Sequence, residues 1–329
     1  MSPPPPGPDL TASAGRSTSR WQRLQAAVHR RTAHLPPTAR GLLWAASAGL
    51  TFSFLNALMR VLALQVDPFQ GQFLRYFFGL AVLLPFILHD GVAAYRPRQV
   101  AGQFWRGAAH TLGLCLWFVA LPRIPLADMT AIGFTGPIFI MIGAHFAFGE
   151  PMRWERWAAT LAGFTGVLIV VGPKLSGSGG WYHLVMLSSA PVFAASFLLT
   201  KALTRYETTG TILVWQSITV SIFSLPLAVM HWQSLTWLQW GGFALTGVFG
   251  SAGHYCLTRS FAVADISSTQ SLKFLDLIWS ALWGFVLFSD VPTATTMAGG
   301  MLIAAATVWV ARREARRSPT PPRGVDAEP

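Results

Sequence analysis

The residues of this chain best suited to chemistry are charges and imidazoles set inside long apolar stretches. Lys273 and Asp276 are the only charged residues between Asp265 and Asp290. Spaced three apart, they share one helical face. That suits a substrate-binding ion pair or a carboxylate that takes up a proton during coupling, and the plainer alternative is a structural pair that neutralises itself. Arg75 is the only charged residue between Asp67 and Asp90. Its guanidinium suits a substrate carboxylate or phosphate, unless its long stem merely carries the charge to the membrane surface. His110 and His254 are candidates to carry protons, because unperturbed imidazole has a pKa of about 6.5; hydrogen bonding within a packed bundle is their plainer role. Trp117, Phe134, Tyr255 and Trp279 offer flat faces that line a cavity and stack on a planar substrate, or else face lipid and fill packing.

Such roles require apolar helices to position these residues. The 329 residues are 52% hydrophobic and 11% charged, against roughly 25% charged in a soluble domain. A crossing needs roughly 20 apolar residues at about 1.5 Å each. The uncharged run Thr208 to Thr258, 51 residues, therefore holds two. Apolar length and Pro, Gly and charge punctuation predict ten transmembrane helices near 41–63, 69–89, 105–122, 126–148, 155–172, 181–203, 210–230, 239–260, 266–288 and 293–311. The class is an all-α membrane protein, since lipid leaves unpaired backbone groups too costly and no two-residue alternation marks a barrel strand.

Orientation follows from the cations of the short loops. Seventeen Lys and Arg, from Arg16 to Arg323, fall in the tails and alternate loops on one side, and two, Arg123 and Lys174, on the other. Both termini are thus expected in the cytoplasm, with residues 1–38 a disordered basic tail and 312–329 a second one. Arg60 and Lys201, close to expected helix ends, are read as snorkelling. At an offset of about 141 residues Arg60 maps to Lys201, Pro85 to Pro226 and Cys115 to Cys256, and at 140 Glu150 maps to Asp290. This predicts two five-helix repeats, 41–173 and 181–311. An odd helix number per copy inverts one copy relative to the other, the architecture in which secondary transporters place a site near the midplane. Asp128, after Pro125, is read as a helix cap, and the Gly247, Gly250, Gly253 series as a close helix contact.

The segment RGAAHTLGLCLWFVALPRIPLADMTAIGFTGPIFIMIGAHFAFGEPMRWERWAATLAGFTGVLIVVGP, Arg106 to Pro173, resembles the EamA-like branch of the drug/metabolite transporter superfamily. The resemblance is carried by the aromatic third helix, the ALPRIPLAD turn, F-T-G-P in the fourth helix, Gly149 with Glu150, and G-F-T-G-V. Leu275, Asp276 and Leu277 stand where the first copy has Thr135, Gly136 and Pro137, so the second copy matches more loosely. The resemblance implies a ten-helix fold, alternating access, and movement of a small polar or amphipathic metabolite across the cell inner membrane. The LPRIPLAD wording is similar to that of proteins of S-adenosylmethionine or riboflavin uptake and metallophore export.

Other function classes find little footing. The net charge of +11 sits in tails and loops rather than on a soluble basic face, so no nucleic-acid partner is expected. Cys115 and Cys256 are the only cysteines and form no CxxC, so no metal and no cofactor is expected. HExxH, GxSxG and P-loop patterns are absent, which leaves a channel or sensory membrane domain as the alternative to a carrier. The expected partners are a small-molecule metabolite, the lipid bilayer and, for the assembled carrier, a second copy in a homodimer.

Overall fold

A computed structural model describes residues 35, 37–133, 135–149, 154–171, 180–269 and 275–316. Among them the regular structure is entirely helical. The helices are α1 (Pro37–Ala63), α2 (Pro68–Asp90), α3 (Val100–Ala120), α4 (Leu126–Gly133), α5 (Gly136–Phe148), α6 (Trp154–Val171), α7 (Gly180–Leu203), α8 (Thr209–Met230), α9 (Trp237–Val263), α10 (Ile266–Thr269), α11 (Leu275–Phe288) and α12 (Ala294–Arg316). Four of them, α1, α2, α7 and α8, are long and apolar enough to cross a bilayer. Large apolar side chains such as Leu88, Phe146 and Met230 stand exposed, as a lipid-facing surface requires.

Local sequence explains most boundaries. Asp67 caps α2, its carboxylate accepting from the Phe69 amide at 2.9 Å, with Pro68 at the first helical position, where a missing N–H costs nothing. Thr236 and Gln239 form a reciprocal capping box on α9. Gly149 closes α5 at φ 67°, a left-handed cap that suits glycine.

One expected helix is broken. The expected 126–148 helix is α4 and α5, interrupted around Thr135. Pro137 has no N–H to give to the preceding turn, and Thr135 instead donates its amide to Ile132 at 3.0 Å. Of the expected 266–288 helix, Ile266–Thr269 (α10) and Leu275–Phe288 (α11) are helical, and residues 270–274 fall outside the described residues.

Helix packing has a twofold pattern. α1 packs on α9 and α3 on α7; α5 packs on α7 and α11 on α1; α2 packs on α8, and α6 on α12. Exchanging α1–α6 for α7–α12 maps this set of contacts onto itself: the first two pairs swap, the next two swap, and the last two each return to themselves. The glycine series of α9 brings that helix close to α1 and α2. A Cβ on Gly247 would come within 2.6 Å of the Phe78 backbone, and one on Gly253 within 2.8 Å of the Phe52 ring.

Candidate functional site

A cavity of about 240 Å³ lies at the centre of the bundle, and the break between α4 and α5 opens onto it. Gly133, Gly136 and Ile140 flank the break, and Thr269 of α10 with Asp276 and Ser280 of α11 line the cavity from the second repeat. Five residues expected to work from sequence line this one space: Arg75 from α2, His110 and Trp117 from α3, His254 from α9 and Asp276 from α11. Phe134 and Lys273 fall outside the described residues. Tyr255 is not part of the wall and meets Trp44 edge-on at 5.7 Å; Trp279 is likewise absent from it. Phe52, Phe193 and Phe197 supply the aromatic faces instead, with Phe193 and Phe197 stacked at 16°.

Asp276 belongs to α11 and seats against α1. Its Oδ1 occupies the space that a Cβ on Gly49 would need, so α1 must carry glycine there for the carboxylate to seat.

Behind the cavity wall runs a buried polar network. The Tyr76 hydroxyl lies 2.8 Å from His110 Nε2 and 3.2 Å from His254 Nε2. His110 Nδ1 meets Ser196 Oγ at 3.1 Å. Gln216 Nε2 reaches His254 Nε2 at 3.1 Å, and its Oε1 accepts from Arg106 at 2.6 Å. Arg106 also donates to Thr200 Oγ1 and to the Ile212 carbonyl. The two histidines stand on the repeat-related helices α3 and α9 with ring centroids 5.3 Å apart. Tyr76 and Gln216, on α2 and α8, are 140 positions apart (216 − 76), which is the spacing of the repeat.

Sequence reasoning missed Tyr76, Gln216 and Arg106. The first two are ordinary residue types in apolar helices. Arg106 had a signal, its charge, but the expected helix start at 105 left it at the membrane face. α3 begins at Val100, which sinks Arg106 about 7.5 Å further in, and it is 2% exposed.

A second cavity of about 240 Å³ lies towards the end of the bundle where α1 and α11 finish, and Ser280 lines both cavities. Two sequence readings change here. Arg60 does not snorkel: it pairs with Asp290 and lies over the Phe288 ring at 4.3 Å. Asp290 is brought round by the end of α11, where Ser289 adopts φ 54° and the Asp290 amide donates to the Gly284 carbonyl at 3.1 Å, a Schellman ending. Asp128 does more than cap, since its carboxylate meets His183 Nε2 at 3.6 Å and accepts from Thr296 at 3.1 Å. Lys201, at the other end, donates to the Phe261 and Ala264 carbonyls, closing the α9 terminus rather than snorkelling.

This arrangement has known relatives. A solved crystal structure of another protein superposes with a TM-score of 0.65 over 84% of this chain and 99% of that one, at 20% identity, which shows a shared fold. A riboflavin transporter of Rhizobium johnstonii is 33% identical, over 85% of this chain and 94% of its own. An S-adenosylmethionine uptake transporter of Rickettsia prowazekii is 27% identical, covering 82% and 92%, and a pseudopaline exporter of Pseudomonas aeruginosa 28%, covering 83% and 96%. The EamA-like transporter family matches twice, over residues 39–172 and again over 180–312. The chain, a two-repeat membrane protein with a polar cavity at its centre, therefore belongs to the EamA-like transporter family and is a metabolite transporter rather than an enzyme.

Proposed function

We propose that the chain is a secondary transporter that carries a small polar or amphipathic metabolite across the inner membrane by alternating access. The observation that carries this reading is one cavity lined from both repeats, by the broken α4–α5 segment and by the buried Arg75. A discontinuous helix at a repeat interface is how secondary transporters expose backbone and dipole ends to a substrate. Ten crossings follow if α4 with α5, and α10 with α11, each count as one. Five per repeat then gives inverted copies, 41–173 and 181–311, with both termini in the cytoplasm. Arg75, His110, Trp117, His254 and Asp276 are the binding and coupling residues of the reading, with Phe134 and Lys273 retained from sequence alone.

At about 240 Å³ the cavity falls below the roughly 300–1,000 Å³ of typical ligand pockets. Uptake of a vitamin-sized compound, such as the relatives' names give, therefore requires the halves to move apart. The Arg60–Asp290 and Asp128–His183 pairs lie beyond Ser280 on the path to one end, and their breakage would open that side. Reconstitution in proteoliposomes tests the reading: a carrier gives saturable flux that unlabelled substrate competes away. Non-saturating conductance would favour a channel and overturn it.

A further inference from the structure

The central cavity holds a cation with no anion of its own. Arg75 is 6% exposed and part of the cavity wall. Its Nε has no hydrogen-bond partner, and among the described residues none of its nitrogens forms an ion pair. Its guanidinium lies over the Tyr76 ring, 5.0 Å from Cζ to the ring centroid. Asp276 does not fill the gap, because its carboxylate is packed against Gly49 of α1. Arg106 adds a second positive charge behind the wall, but its donors are committed to Thr200, Gln216 and the Ile212 carbonyl. Gly250 leaves room for the open side chain: a Cβ there would sit 3.4 Å from Arg75 Nε.

A buried guanidinium without a partner is costly, and its fork of N–H donors matches a carboxylate or phosphate at two points. The rest of the wall is aromatic, from Phe52, Trp117, Phe193 and Phe197, and favours a flat ring. We propose that the site takes a small organic anion, its carboxylate or phosphate on Arg75 and its flat ring among Phe52, Trp117 and Phe193. This rests on the reading of the cavity as the transport site.

The test uses matched probes on the full-length protein in nanodiscs, titrated calorimetrically. Indole-3-acetate is compared with indole-3-acetamide, which has nearly the same shape without the charge, and adenosine 5′-monophosphate with adenosine. At least one acid should bind tenfold or more tightly than its neutral counterpart, and which acid does so separates carboxylate from phosphate. Arg75→Gln should abolish that preference, Arg75→Lys should keep part of it, and Arg123→Gln, outside the cavity, should leave it unchanged. Equal binding of acid and neutral partner, an acid preference that survives Arg75→Gln, or no binding of any probe overturns the anion assignment. None of these would touch the carrier reading, which stands or falls on saturable flux.

Discussion

Tyr76 is the residue on which the buried network turns. Its one hydroxyl hydrogen faces two imidazole nitrogens, 2.8 and 3.2 Å away, so with both rings neutral one nitrogen must accept and the other donate. When one ring is protonated, its N–H gives a proton to the Tyr76 oxygen as the hydroxyl hydrogen passes to the other ring, so the positive charge moves between His110 and His254 without moving a helix, a suitable device for coupling to a proton gradient. Tyr76→Phe should cost about 1–3 kcal/mol of stability, the usual penalty for stranding buried polar atoms. It should also uncouple transport: gradient-driven uptake in vesicles falls at least tenfold, while substrate exchange at zero gradient survives. If collapsing the gradient leaves native uptake unchanged, proton coupling through this pair is wrong. Arg75, His110, His254 and Asp276 were legible in the sequence because a charge or imidazole in apolar surroundings needs a reason. Tyr76 and Gln216 were not, since nothing about their type marks them until the fold brings α2, α3, α8 and α9 together.

At the scale of elements, apolar length located the helical segments but not the break within the expected 126–148 helix. Counting apolar residues measures transfer into lipid and is blind to where backbone hydrogen bonds stop. The break leaves a trace in Gly136 and Pro137. The glycine series of α9 was legible, and it gives a controlled prediction. Gly247→Ala drives a methyl into the Phe78 backbone and should lower stability by about 1–3 kcal/mol, the cost of overpacking. Gly241→Ala, on the same helix with nothing within 4 Å of the added Cβ, should leave Tm unchanged or raise it. Thermal unfolding of the two purified variants checks the pair, and equal losses would mean that α2 and α9 do not pack this closely.

For the whole molecule, the twofold packing pattern sets one repeat against the other, with the cavity between them and polar clusters towards its ends. The sequence offset of 140–141 residues made the duplication legible, but not that Arg60 on α1 reaches Asp290 beyond α11, because that pairing joins residues 230 positions apart. Arg60→Gln and Asp290→Asn should each cost about 1–2 kcal/mol, between the values for exposed and buried ion pairs. The double variant should cost less than their sum. Strict additivity in thermal unfolding would show that the pair does not act as a unit.

The most direct measurement is metabolite profiling of cells and medium with the gene deleted, restored, and restored as Arg75→Ala or Asp276→Asn at equal membrane abundance. One compound class should shift between cell and medium on deletion and return only with the unmutated gene. Full recovery with both variants would contradict the central cavity as the substrate site.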